Sequence, residues 1–251
     1  MRRLDRLLVD RGLFSSRARA QAAIAAGLVR VSGVVVDKAA TPAADDAAIE
    51  AEQPHPYVSR GGLKLAHALD VFGIDCRERV AIDIGASTGG FTQVLLERGA
   101  RLVFAVDVGR DQLHPSLHME GRVISLEGQD ARMLTTTEIT QPPDLLVCDA
   151  SFIAAAHVLP RPLSLLAPGA DVVVLVKPQF EVGRSHLGKR GIVRSEAVQD
   201  RAVADVAHFL AGQGFVESGR TESPITGGDG NREWLIAARS PRSTAMVGTP
   251  R

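Results

Sequence analysis

The stretch that decides the fold is "DIGASTGGFT", Asp83–Thr92. It follows the apolar run Val80-Ala81-Ile82 and places Gly85, Gly89 and Gly90 within six residues. A strand running into a glycine-rich turn and then a helix opens a nucleotide-binding α/β unit. Missing side chains let a ligand come close to the backbone. The dinucleotide fingerprint G-x-G-x-x-G is not met. From Gly85 the sequence reads G-A-S-T-G-G, with Ser87 in the second glycine position. That argues against a pyrophosphate cradle. Asp83, just before the loop, is a poor neighbour for a phosphate and a good one for a cation.

The surroundings support an α/β unit. Apolar strands are predicted at residues 79–84, 102–106, 123–126, 144–147 and 171–176. Between them lie a helix at 90–98, a short turn near 112–118, and helices at 132–138 and 154–166. Near-continuous apolar strands joined by helical crossovers make a parallel sheet covered on both faces. An amphipathic helix over 196–213 follows, and segments 215–220 and 233–238 then pair as antiparallel final strands. Two more acids follow successive strands, Asp107 in "LVFAVDVG" and Asp130 in "EGQDAR". An acid about twenty residues past the glycine loop grips ribose hydroxyls in nucleotide-binding folds. A third acid could accept from an adenine amino group. Three acids, a close backbone approach and no phosphate cradle suit S-adenosylmethionine, which carries an ammonium and a sulfonium. The lesser alternative for Asp107 and Asp130 is a helix N-cap or a solvated loop acid.

Basic and acidic residues balance at 29 each, so overall charge gives no reason to expect a polyanion partner. The distribution differs. Residues 1–40 hold eight basic side chains (Arg2, Arg3, Arg6, Arg11, Arg17, Arg19, Arg30, Lys38) against Asp5, Asp10 and Asp37. Such a local excess suggests a nucleic-acid face, or simply a solvated surface. Cys76 and Cys148 are the only cysteines, too few for a metal framework, and they read as reduced thiols of an intracellular, cytoplasmic protein. The charged start "MRRLDRLLVDRG" is no signal peptide, and no apolar run approaches the roughly 18 residues of a membrane span.

Leu4, Leu7 and Leu8 have helical spacing up to Gly12. "SSRARAQAAIAAG" reads as a helix capped by Ser15 or Ser16 and stopped by Gly27. "LVRVSGVVVDK" alternates around a Ser-Gly turn as a hairpin, and "AAIEAE" can add a strand. This order resembles the S4 RNA-binding domain, carried by Ser16, Arg17, Gly27, Val29, Val31, Gly33 and Lys38, with Ser32 replacing the usual asparagine. The resemblance implies RNA docking through Arg3, Arg6, Arg17, Arg19 and Lys38. A helix–hairpin cap that serves packing only is the alternative.

The later strands end in "LLVCDASF" and "VVLVKPQFE", which puts Asp149 and Lys177 at the carboxyl edge of the sheet. A lysine ending so apolar a strand needs a partner, and Asp149 on the adjacent strand could supply one. A buried ion pair alone leaves Lys64 in "YVSRGGLKL" and Glu233 in "GNREWLI" unexplained. The order Lys64, glycine loop, Asp149, Lys177, Glu233 resembles the Lys-Asp-Lys-Glu tetrad of FtsJ/RrmJ-type ribose 2′-O-methyltransferases. With "DIGASTGGFT", "CDASFI", "VKPQFEVGR" and an S4 module in front, the chain resembles the TlyA family of ribosomal RNA methyltransferases, also called hemolysin A.

The resemblance implies a Rossmann-like α/β methyltransferase with a mostly parallel seven-stranded sheet behind a small α+β S4 domain. Boundaries are expected at 1–54 for the S4-like domain, 55–59 for a linker and 60–240 for the methyltransferase, with a disordered tail from 241. S-adenosylmethionine would meet Asp83, Gly85, Ala86, Ser87, Thr88, Gly89, Gly90, Phe91, Asp107 and Asp130. Lys177 would activate the 2′-hydroxyl, Asp149 would tune it, and Lys64 and Glu233 would position the ribose. Burial disfavours a charged lysine, which makes one a candidate base, and no metal is required. Arg60 and a glycine-rich loop with Arg184, Lys189 and Arg190 would touch RNA phosphates. The partner would be ribosomal RNA or ribosomal subunits, with a cytidine ribose as acceptor; no membrane and no obligate protein partner are read. A membrane-lytic hemolysin and an inactive RNA-binding scaffold are the competing readings.

Overall fold

The computed structural model describes residues 1–52, 55–188 and 191–241. The chain divides into two compact units, Met1–Pro56 and Tyr57–Arg251.

In the first unit β1 (Arg2–Arg3) leads into α1 (Leu4–Asp10) and α2 (Arg17–Ala25). Ser16 caps α2 by accepting from Arg19 N. β2 (Val29–Val31) and β3 (Val34–Val35) form the expected hairpin. Ser32 and Gly33 both have positive φ, 53° and 80°, as a tight two-residue hairpin turn demands. β4 (Pro42–Ala43) pairs with β1, and β5 (Ile49–Ala51) adds to β2. Leu4, Leu7, Leu8, Ala20, Ile24 and Val29 make its core.

The second unit opens with α3 (Gly61–Phe72), a helix absent from the sequence reading. Leu65, Ala68 and Leu69 form its buried stripe, and Gly73 ends it in a left-handed conformation. The strands follow: β6 (Val80–Ile84), β7 (Leu102–Asp107), β8 (Val123–Glu127), β9 (Leu145–Cys148), β10 (Asp171–Val176), β11 (Val216–Glu222) and β12 (Trp234–Arg239). They form one seven-stranded sheet ordered β11-β12-β10-β9-β6-β7-β8. Only β12's pairings, with β10 and β11, are antiparallel. β6, β9 and β10 are buried along their whole length, as a sheet covered on both faces requires.

Helices flank the sheet: α4 (Gly90–Glu97), α5 (Pro115–His118), α6 (Ala155–Val158), α7 (Pro160–Leu163), α8 (Pro178–Glu181) and α9 (Glu196–Gly212). Two expected helices differ. Residues 132–138 give only a 3₁₀ turn at Ala131–Met133. Residues 154–166 break into α6 and α7, because Pro160 and Pro162 each remove a backbone donor. Among the described residues no helix is long and apolar enough to cross a membrane. The expected tail lies, from residue 242, outside the described residues.

The strand order reverses between β6 and β9. The chain runs from β6 outward to β7 and β8, then returns to β9 on the other side. Ligands of open α/β sheets bind at such a switch point, beyond the strands' carboxyl ends.

Asp83, expected to meet the cofactor, lies within β6. It is 0% exposed, accepts from Thr92 Oγ1 at 2.7 Å, and so ties the strand to α4. Desolvation pushes its carboxyl up to about 7 from an ordinary 3.8, with the Thr92 bond opposing. The folded chain therefore keeps a proton that the unfolded chain has lost, and stability falls as pH rises from about 4 to about 7. Asp83→Asn is expected to flatten this slope and raise stability at about pH 8 by about 2 kcal/mol. Urea unfolding across that window checks it; an unchanged slope rejects the assignment.

Candidate active site

The glycine loop between β6 and α4 is shaped by contact. Gly85 has φ +81°, and a Cβ there would lie 3.0 Å from the backbone of Asp149 and Ala150. A Cβ on Gly90 would meet Ser59 Oγ at 2.1 Å. At the end of β7, Asp107 fixes the loop from the other side. Its Oδ2 accepts from Ser87 N at 2.8 Å and its Oδ1 from Gly109 N at 2.7 Å. Each oxygen keeps further acceptor capacity.

A cavity of about 560 Å³ lies beside this loop. Gly85, Ser87, Asp107 and Asp130 line it together with the apolar Ile84, Val106, Val108, Ala131, Ile153 and Val158. Asp130, expected to accept from the adenine amino group, also has partners of its own. It caps the 3₁₀ turn through Arg132 N and forms an ion pair with the Arg132 guanidinium at 2.6 Å. That pairing holds its carboxyl below the usual range. Ala86 and Phe91 are buried. Ala86, Thr88, Gly90 and Phe91 border a smaller recess of about 170 Å³ with Ser59, Asp149 and Lys177. Gly89 packs toward Leu113 and Leu117.

The four residues expected to act together line one further cavity of about 520 Å³. Each arrives from a different element. Lys64 stands in the first turn of α3, Asp149 follows β9, Lys177 follows β10, and Glu233 precedes β12. They form two ion pairs. Lys177 Nζ lies 2.6 Å from Asp149 Oδ1 and also donates to Ser151 Oγ at 2.7 Å and Asp149 O at 3.2 Å. Lys64 Nζ pairs with Glu233 Oε2. Lys64, Lys177 and Glu233 are 7%, 8% and 2% exposed. Desolvation raises the Glu233 carboxyl, and the neighbouring Lys64 opposes the rise.

Both large cavities are bordered by Asp149, Ser151 and Phe152, so the loop side and the quartet side adjoin. Phe152 is 90% exposed despite φ +65°, a strained setting for an aromatic residue. Its ring stands 5.0 Å from that of Phe180, which borders the quartet cavity too. Ser151, Phe152, Gln179 and Phe180 lie within "CDASFI" and "VKPQFEVGR" and line the quartet cavity beside the expected residues. A single serine or phenylalanine carries no signal until its neighbours are known.

The basic residues divide. Arg6, Arg19 and Lys38 are exposed. Arg3 and Arg17 are exposed as well but share Asp5, which is fully buried; Arg3 grips it through two donors at 3.1 Å and Arg17 at 2.7 Å. Both guanidiniums therefore hold β1, α1 and α2 together, whatever else they contact. Arg60 donates to Thr226 O. The Arg184 side chain, Lys189 and Arg190 lie outside the described structure.

Known proteins resemble this chain over nearly its full length. The 16S/23S rRNA (cytidine-2′-O)-methyltransferase TlyA of Mycobacterium tuberculosis is 43% identical over 97% of this chain and 92% of that protein. Hemolysin A of Brachyspira hyodysenteriae is 39% identical over 93% and 98%. A solved structure of a candidate hemolysin from Streptococcus thermophilus aligns with TM-score 0.75 at 40% identity, covering 97% of this chain and 90% of that one. The S4 domain family matches residues 2–46. With the FtsJ-like methyltransferase family matching residues 57–240, over a seven-stranded sheet with its lysine–carboxylate quartet at the switch point, this chain belongs to that family and is a methyltransferase.

Proposed function

We propose that the protein transfers a methyl group from S-adenosylmethionine to the ribose 2′-hydroxyl of a cytidine in 16S ribosomal RNA, 23S ribosomal RNA or both. The observation that carries this reading is the meeting of Lys64, Asp149, Lys177 and Glu233 in one cavity that adjoins the glycine-loop cavity. Relatives named for cytidine 2′-O-methylation of 16S/23S or 23S rRNA support the substrate class.

The loop cavity suits the proposed cofactor. Its apolar walls fit an adenine ring, and the Asp107 carboxylate retains acceptors for ribose hydroxyls. The recess beside Gly85, Ser59 and Asp149 offers backbone approach and negative charge to the methionine end. S-adenosylmethionine supplies an electrophilic methyl group on a sulfonium. The residues of this chain align the acceptor and handle its proton. Lys177, held by Asp149 and Ser151, stands where it would orient a 2′-oxygen entering the quartet cavity and, once its ammonium has passed one proton to solvent, take up the hydroxyl proton as the methyl group leaves sulfur. Lys64 and Glu233 bracket the ribose. Alignment supplies much of the rate in such a displacement. The exposed Phe152 ring, backed by Phe180, gives an unstacked base a platform at the cavity mouth. The N-terminal unit, which matches the S4 domain family, would dock folded RNA through Arg6, Arg19 and Lys38 together with the outer donors of Arg3 and Arg17. Residues 1–54 would form that module, 55–59 a linker and 60–240 the catalytic domain.

Incubation with labelled S-adenosylmethionine and ribosomal subunits, followed by mapping of the labelled nucleotide, tests the reading; label on a base or on protein, or none, refutes it. Lys177→Ala is expected to lower transfer by about 100-fold or more, with S-adenosylmethionine affinity by calorimetry within about threefold of wild type. Asp107→Ala is expected to weaken that affinity by about tenfold or more, since it removes both the ribose acceptor and the bond to Ser87.

A further inference from the structure

Residues 192–195 and 227–233 contain no helix or strand, yet their neighbourhoods supply much of the quartet cavity's wall: Leu187 and Gly191 from one, Gly228, Asp229 and Glu233 from the other. No strand ladder joins them. Among the described residues the buried link is one side chain, beside an exposed Arg232–Glu196 ion pair at 3.5 Å. Asn231 is 1% exposed. Its Oδ1 accepts from Val193 N at 2.9 Å, and its Nδ2 donates to Gly191 O at 3.1 Å. Accepting from one backbone N–H and donating to a carbonyl two residues earlier imitates strand pairing.

The same Nδ2 donates to Asp229 Oδ2 at 2.9 Å, and the Asn231 backbone N–H donates to Asp229 Oδ1 at 3.2 Å. The Asn231 carbonyl accepts from Gly227 N at 2.8 Å. Donors and acceptors of this residue are thus all engaged. Gln199 of α9 secures the other segment by donating to Val193 O at 2.6 Å. Two residues after Asn231 comes Glu233, partner of Lys64.

We propose that Asn231 is a positioning residue for methyl transfer: its carboxamide clasps the Gly191–Val193 segment to the segment that delivers Glu233, and so sets the width of the acceptor cavity. It touches no reacting atom, and the inference rests on the proposed function. An apolar or truncated side chain would leave the Val193 N–H and the Gly191 carbonyl without partners in a buried setting, and the two segments would separate. Aspartate is informative. As a neutral acid it keeps one acceptor and one donor in nearly the same places; ionised, it loses the donor and faces Asp229.

The experiment uses the full chain with ribosomal subunits as acceptor. For Asn231→Ala, the KM for subunits is expected to rise about tenfold or more, with S-adenosylmethionine affinity within about twofold of wild type. Hydrogen exchange at the Val193 amide is expected to speed by about tenfold or more, while exchange at Val147 in β9 stays unchanged. For Asn231→Asp at about pH 8, where the ionised carboxylate has no donor for the Gly191 carbonyl and faces Asp229, the KM for subunits is expected to rise as well. Should Asn231→Ala fail to fold, the KM of Asn231→Asp at about pH 8 decides alone. A wild-type KM in a folded variant, or unchanged Val193 exchange in a folded alanine variant, overturns the clasp. Wild-type protein that transfers no methyl group overturns the functional reading instead, and the exchange measurement then still reports on the clasp.

Discussion

The backbone N–H of Asp149 donates to the carbonyl of Ile84 at 2.9 Å, and the site is built outward from that bond. It continues the parallel β6–β9 ladder one residue past the sheet and brings the start of the glycine loop against the acid-bearing loop. The approach is so close that a Cβ on Gly85 would sit 3.0 Å from the Asp149 and Ala150 backbone. Because strand order reverses between β6 and β9, the chains leaving these strands diverge. One enters α4 and the other turns toward α6, leaving a crevice between them. The loop cavity and the quartet cavity are the two sides of this crevice, with Asp149, Ser151 and Phe152 on the partition.

The electrostatics of the quartet follow from its burial. Two cations and two anions balance formally, and each charge has a partner in contact. Removing one member of such a buried pair costs about 3–5 kcal/mol, because the other charge is left without compensation. Replacing a whole pair with apolar groups is often neutral or stabilising, so folding alone gives no reason to keep four charges here. A second cluster makes a useful contrast. Asp171, at the opposite edge of the sheet, is clamped by Arg79 at 2.8 Å and by Arg239 at 2.6 Å and 2.9 Å. It joins the start of β10 to the end of β12 and to the residue before β6. Its position at the amino ends of the parallel strands reads as stability, whereas the quartet stands at the carboxyl ends.

Much of this was legible in advance. Five parallel strands were readable because burial on both faces imposes unbroken apolar runs, as in "DVVVLV". The quartet was readable through the resemblance and through Lys177, whose place after such a run demands a partner. Other features were not. α3 is not legible in "SRGGLKLAHALDVFG" because the helix begins with two glycines, residues that disfavour a helix on their own. In the structure Tyr57 packs over Gly62, and tertiary contact outweighs propensity. Prolines at 160 and 162 split an expected helix whose apolar spacing looked continuous. Asp83 and Asp130 also hold local partners that spacing alone does not reveal, Thr92 for one and Arg132 for the other. Asn231 gave no signal, because its partners lie 38 and 40 residues away.

By itself the sequence determined the order of the strands, the glycine turn after the first of them, and the set of ionisable residues that end the later ones. Those features are local: apolar runs, turn chemistry and spacing read the same way in any chain. Tertiary structure decided which carboxylates face a cavity and which are consumed in holding the fold. It paired Lys64 with Glu233 and Lys177 with Asp149, brought Phe152 to the surface, and set Asn231 between two loops. The physical reason is that a side chain's role depends on the nearest donor, acceptor or charge, and in a switch-point fold that neighbour comes from a distant part of the chain.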